Sequence, residues 1–161
     1  MDHLRLDPED FEFSVDPRGG RDGRRAARVA SRVAVPGGFG TLMQSILADD
    51  YHDRRVRWAG CLKTEAVARW CGLWMRVDGE RGRMLALDNM QSRPLQGTTD
   101  WRRCEVVLDV PAESVAVAFG VLLEGAGAVW MADVSLDVVG PDVPTTAEPT
   151  PREPRNLGFE E

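Results

Sequence analysis

The stretch from Trp70 to Trp101 gathers the side chains best suited to holding an organic guest. Trp70, Trp74 and Met75 fall within its first six residues, Arg76, Met84, Asp88 and Met90 follow, and Trp101 closes it. Indole faces stack on planar or conjugated groups, and thioethers adapt to irregular shapes. Together with Trp58 before it and Trp130 after it, the stretch predicts a small-molecule cavity walled by Trp58, Trp74, Met84, Met90 and Trp130. A hydrogen-bond donor is available in Tyr51, the Trp74 indole or Arg76 to polarise a carbonyl on the guest. Trp and Met at strand spacing also serve as plain core, and for any one of these residues both roles stay open.

Other chemistries find less material. The two histidines, His3 and His52, allow no Ser/His/Asp or Cys/His arrangement, and the nucleophile-elbow pattern G-x-S-x-G is absent. Asp88 and Asp133 are the carboxylates that glycoside hydrolysis would need, although nothing in the sequence sets their separation. Asp49, Asp50 and Asp53 crowd around Tyr51 and His52 without the spacing of a calcium loop, so a solvated loop is expected and no metal. Pro36 to Gly40 is glycine-rich but lacks the Lys-Ser/Thr of a phosphate loop. Cys61, Cys71 and Cys104 contain no C-x-x-C pair, which predicts reduced thiols. No cofactor is implied.

The 161 residues suit one domain, and a formal charge of −6 argues against a surface-wide nucleic-acid footprint. Arg24, Arg25, Arg28 and Arg32 form a local basic run, but Asp2, Asp7, Glu9, Asp10 and Glu12 lie on the expected partner strand and neutralise it. No run approaches the roughly 18 apolar residues of a membrane span, and the N-terminus lacks a secretory pattern. The expected compartment is the cytoplasm, and the expected partner is a hydrophobic small-molecule substrate, with no nucleic acid and no membrane. A homodimer is compatible with this composition.

The elements that must position these residues read as strands. Asp10 to Val15 alternates, and so do Arg54 to Lys63, Trp70 to Val77, Arg83 to Met90, Trp101 to Val110 and Ala128 to Val139. Val115 to Leu123 is almost wholly apolar, as for a strand covered on both faces, while Arg24 to Val35 and Thr41 to Ile46 are shorter candidates. Thr64 to Arg69 reads as a turn and Gln91 to Asp100 as a polar loop. Roughly seven to nine strands without a long amphipathic helix predict an all-β, two-sheet antiparallel sandwich. Residues 1–9 are expected to fray, 10–139 to form the domain, and 140–161, which holds half of the ten prolines, to be a disordered tail with Leu157 and Phe159 as docking points.

The motif string GLWMRVDG (Gly72 to Gly79), LALDNM (Leu85 to Met90), RPLQGTTDW (Arg93 to Trp101), VVLDVP (Val106 to Pro111), FGVLLEGAG (Phe119 to Gly127) and VWMADVSL (Val129 to Leu136) resembles a widespread bacterial domain. That domain occurs alone and behind helix-turn-helix regulators, and is similar to the jelly roll of carbohydrate-binding modules and galactose-binding-like domains. No helix-turn-helix segment occurs here, so this copy is expected to stand alone. Two positions depart from the pattern: Ala132 stands where an Asp is usual, and Cys61 where a Tyr is usual.

Stand-alone jelly rolls of this kind also resemble small cyclases that fold a linear polyketide for a [4+2] or [6+4] cycloaddition. That resemblance implies a jelly-roll sandwich with a concave-face pocket and a cyclase needing no metal or cofactor, because orientation alone lowers a pericyclic barrier. Under it, Trp74 and Tyr51 would be catalytic, and Trp58, Met75, Arg76, Met84, Asp88, Met90 and Trp130 would bind substrate. The alternative is a non-catalytic small-molecule or carbohydrate-binding sensor module.

Overall fold

The structure, a computed structural model, describes residues 10–147; the expectations for residues 1–9 and for the tail beyond 147, with Leu157 and Phe159, lie outside the described residues. Eight strands run in chain order: β1 (Phe11–Asp16), β2 (Ala26–Ser31), β3 (Phe39–Leu47), β4 (Arg54–Asp78), β5 (Met84–Asp88), β6 (Leu95–Val110), β7 (Ala116–Glu124) and β8 (Ala128–Val139). All pairings are antiparallel. No α-helix occurs among the described residues, and none is long and apolar enough to cross a membrane.

The architecture follows from β4, a single strand of 25 residues where the sequence suggested two strands and a turn. Its first half, from Arg54, pairs with β6 on one edge and β8 on the other, and β2 and β1 extend the layer beyond β8. Its second half, to Asp78, pairs with β5 and β7, and β3 extends that layer beyond β7. One hydrogen-bonded sheet therefore folds over itself into a first layer, β1-β2-β8-β4-β6, and a second, β5-β4-β7-β3. This is the all-β sandwich the strand pattern predicts.

The expected turn at Thr64 to Arg69 is absent because side chains stand in for ladder bonds at the bend. The β4–β6 register shifts between Leu62 and Thr64, between Thr64 and Val67, and between Val67 and Cys71, and Ala66 takes φ 51°. Thr64, fully buried, bonds through Oγ1 to Gly97 O at 3.1 Å and accepts Thr99 N–H at 2.9 Å. The Thr98 hydroxyl accepts Ala66 N–H at 3.0 Å. Bulges of this kind bend a strand without ending it. The Gly-Thr-Thr of the supposed polar loop is thus the bend's support, and β6 begins at Leu95 rather than Trp101.

A second gap opens where the edge partner of β4 changes. The last β5 pair is Met75 with Asp88 and the neighbouring β6 pair is Cys71 with Leu95, so Leu73 faces neither strand. Met90 fills the space: its sulfur accepts Leu73 N–H at 3.2 Å, and a Cβ on Gly72 would stand 2.9 Å from Met90 Cβ. Met90 holds φ 61°, a conformation rare outside glycine, to reach this place.

Between the layers lie Val56, Trp58, Leu62, Val106 and Leu108 from the first and Leu73, Met75, Val117, Phe119, Val121 and Leu123 from the second, all buried. The three cysteines are free and buried; burial pushes Cys71 up to about 12 and Cys104 up to about 11, so both stay protonated at neutral pH. The chain from Gly140, expected to be disordered, is docked as far as Ala147: Thr146 N–H bonds Val107 O at 3.0 Å, its hydroxyl accepts Val107 N–H at 2.8 Å, and Arg55 bonds Val143 O at 2.7 Å. This strap covers the outer edge of β6, which would otherwise offer unpaired backbone groups.

Truncating Met90 to Ala removes the plug and orphans the Leu73 amide, which should cost about 2–5 kcal/mol in a urea titration. Met84→Ala, at a position 55 % exposed, should stay within about 0.5 kcal/mol.

Candidate functional site

Alternation along the second layer divides its side chains between two faces. Cys71, Leu73, Met75 and Val77 point into the main core, whereas Trp70, Gly72, Trp74, Arg76 and Asp78 point away from it. Register places Met43, Gly120 and Trp74 in one row and Ser45, Ala118, Arg76 and Leu87 in the next. On this outer face Met43, Trp74, Ala118 and Leu122 form a second buried cluster, with Phe39 and Trp70 packed around it. The polar ends are tied down. Trp74 Nε1–H donates to Thr41 Oγ1 at 2.8 Å, Thr41 donates to Val121 O at 2.8 Å, and Trp70 Nε1–H donates to Glu124 at 2.9 Å. The Arg76 guanidinium lies 5.9 Å from the Trp74 ring and bonds Asp78 at 3.0 Å.

At the β5 edge of this face, the turn after β5 forms a recess of about 420 Å³ lined by Leu87, Asp88, Asn89, Gln91 and Ser92. Its floor is rigid. Arg93 grips the buried Asp88 carboxylate with both Nη atoms, at 3.2 and 2.6 Å, and also donates to Glu105 O at 3.0 Å, while Met90 N–H caps Asp88 at 2.9 Å. Burial pushes Asp88 upward, but hydrogen bonds from Arg93, the Thr146 hydroxyl and the Met90 amide outweigh it and hold the carboxyl below the usual aspartate value. Asp88 is therefore ionised and spoken for. Asn89 Oδ1 accepts Gln91 N–H at 3.1 Å, and the Gln91 amide has no partner among the described residues.

The nine residues expected to share one cavity are dispersed. Trp58 lies in the main core, its ring 4.9 Å from Phe119 and its N–H on Gly120 O at 3.0 Å. Met75 is fully buried in the same core, Met90 is the β4 plug, and Met84 is solvent-exposed. Tyr51 sits in a single 3-10 turn between β3 and β4 and packs on the edge of the main core, apart from the Trp74 cluster. Trp130 is on the outer face of the first layer, with Arg28 at 5.3 Å and Lys63 at 5.7 Å from its ring and its N–H on Asp16 at 3.2 Å. Trp74 and Arg76 share the outer face of the second layer, and Asp88 lines the recess beside it. Asp133 belongs to the first layer and is paired with Arg21 at 3.3 Å and Arg24 at 3.6 Å, so it makes no dyad with Asp88. Arg28 of the basic run is paired with Glu12 at 2.6 Å.

Sequence reasoning missed Gln91, Ser92, Arg93 and Thr41. A polar turn after a hairpin strand is ordinary, and only the Asp88–Arg93 charge pair five residues apart gave a signal. The two departures from the motif pattern turn out to face each other, since Cys61 pairs with Ala132 across β4 and β8.

Solved structures with the same architecture include a family 16 carbohydrate-binding module, with a TM-score of 0.60 at 13% identity over 79% of this chain and 86% of that one. A putative sugar-binding protein from Bacteroides thetaiotaomicron gives 0.58 at 10% identity over 85% and 86%. A xylan-binding domain from Paenibacillus barcinonensis gives 0.53 at 15% identity over 80% and 81%. At these identities the likeness defines the fold, a jelly-roll β-sandwich. No protein-family model matches the sequence. The chain is also 40% identical over 159 residues to YbfP of Bacillus subtilis, an uncharacterized helix-turn-helix-type transcriptional regulator. That alignment takes in 96% of this chain and 54% of the regulator, so the chain spans about half of its relative's length.

Two measurements follow. Trp74→Ala, which empties a buried position, should cost about 3–5 kcal/mol of folding stability in urea. The depressed Asp88 value means that its contribution is present above the unfolded carboxyl pKa of about 3.9 and is lost as pH falls through the folded value. Asp88→Asn should therefore cost about 2 kcal/mol at pH 7 and progressively less below about pH 4.

Proposed function

We propose that this chain is a non-catalytic binding module for a small carbohydrate, held in the recess formed by Leu87 to Ser92. The observation that carries the reading is the pairing of two planar amides, Asn89 and Gln91, and the Ser92 hydroxyl with a partly exposed Leu87 around about 420 Å³. That volume falls in the range of roughly 300–1,000 Å³ of small-molecule sites. Side-chain amides donate and accept at once, which suits vicinal hydroxyls, and an apolar neighbour suits the C–H face of a sugar ring. Asp88 serves to fix the turn, because its oxygens are already taken by Arg93 and the Met90 amide. The carbohydrate-binding names among the structural neighbours agree with this ligand class. Similarity to about half of a helix-turn-helix regulator favours a sensing role over a digestive one.

The cycloaddition reading has less support. It calls for an enclosed apolar chamber, and the apolar cleft beside Trp58 measures about 100 Å³. Met75, Met90 and Trp58 are committed to packing, and the Trp74 N–H is already bonded.

Titration calorimetry against neutral mono- and disaccharides should find one class bound with micromolar to millimolar Kd. Gln91→Ala and Asn89→Ala should each weaken it at least tenfold, a loss of about 1.4 kcal/mol, while leaving the melting temperature unchanged. Absence of binding by every sugar, or binding that survives both substitutions, would overturn the assignment.

A further inference from the structure

On the opposite side of the second layer, a cleft enters the sandwich between β3 and β8. Leu42, Trp58, Phe119, Met131 and Val134 wall it, and Gln44 of β3 also lines it; it encloses about 100 Å³. Since β5 and β3 are the two edges of the second layer, this cleft and the polar recess open at opposite edges. Protein interiors are otherwise close-packed, so an apolar space of this size between two sheets is unusual.

Its chemistry is specific. Trp58 and Phe119 meet at 4.9 Å and 54°, leaving an angled pair of ring surfaces against which a third ring can pack edge to face. The Trp58 N–H and the Gly120 carbonyl satisfy each other at 3.0 Å, so neither competes for a guest. Met131 brings a thioether, which favours aromatic edges. Gln44 is half-buried, and its side-chain amide has no hydrogen-bond partner among the described residues. Apolar cavities of roughly 150 Å³ take benzene. A smaller space with an open mouth suits one ring whose polar substituent remains at the entrance.

We infer that this cleft is a second ligand site, for a single aromatic ring bearing one hydrogen-bonding group, with the ring against Trp58 and Phe119 and the polar group on the Gln44 amide. It is independent of the carbohydrate reading, and neither needs the other.

The probes are 4-fluorophenol and fluorobenzene, added to the full chain carrying 13C-methyl methionine. A saturable shift confined to the Met131 methyl is expected with 4-fluorophenol, and a weaker one with fluorobenzene. Val134→Phe, at a position 47 % exposed in the cleft wall, should abolish both without altering the melting temperature. Gln44→Leu should reduce the preference for 4-fluorophenol over fluorobenzene at least fivefold. Gln91→Ala should leave all of this unchanged. Shifts that do not saturate, that spread over the other methionines, or that persist in folded Val134→Phe would overturn the site.

Discussion

The sandwich depends on one strand belonging to both of its layers. β4 carries backbone partners on each edge for most of its 25 residues, first β6 and β8, then β5 and β7. The hard problem in such a design is the handover, where backbone groups lose one neighbour before gaining the next. A buried amide without a partner costs as much as a lost hydrogen bond. Two threonine hydroxyls and a methionine sulfur answer that demand here. Met90 accepts an unfavourable backbone angle as part of the same solution.

That constraint also explains where binding capacity is left over. Residues along β4 are consumed by packing or by backbone satisfaction, including Trp58, Met75 and the Trp74 N–H. Side-chain amides with no protein partner among the described residues lie at the two edges of the second layer, Gln91 on one side and Gln44 on the other. Both are side-chain amides, and each sits beside a recess of different polarity: hydroxyl and carboxylate by Gln91, aromatic and thioether by Gln44.

The strands and the fold class were legible because period-two alternation survives in a sandwich whose outer faces are partly wet. β8 was readable to the residue, and β7 was recognised as covered on both sides from its unbroken apolar run. The Thr64 to Arg69 bend was not readable, since it looks polar and turn-like, and the threonines that keep it in the ladder come from Gly97 to Thr99, distant in sequence. The shared cavity failed for a related reason. Alternation tells which residues share a face of one strand, but not whether that face meets the core or the outside of its layer: Trp58 and Met75 face inward, Trp74 faces outward, and Trp130 faces outward from the other layer. Cys61 and Ala132 were visible separately as departures from the motif; that they are cross-strand neighbours required the register.

The strap from Gly140 to Ala147 passes close to the Asp88 that floors the recess, since the Thr146 hydroxyl that pairs with Val107 of β6 also helps to hold the Asp88 carboxyl in its ionised form. The last described residues of the strap are therefore anchored at the threshold of the recess. The strap's anchorage and the proposed doorway for a ligand thus share one carboxylate.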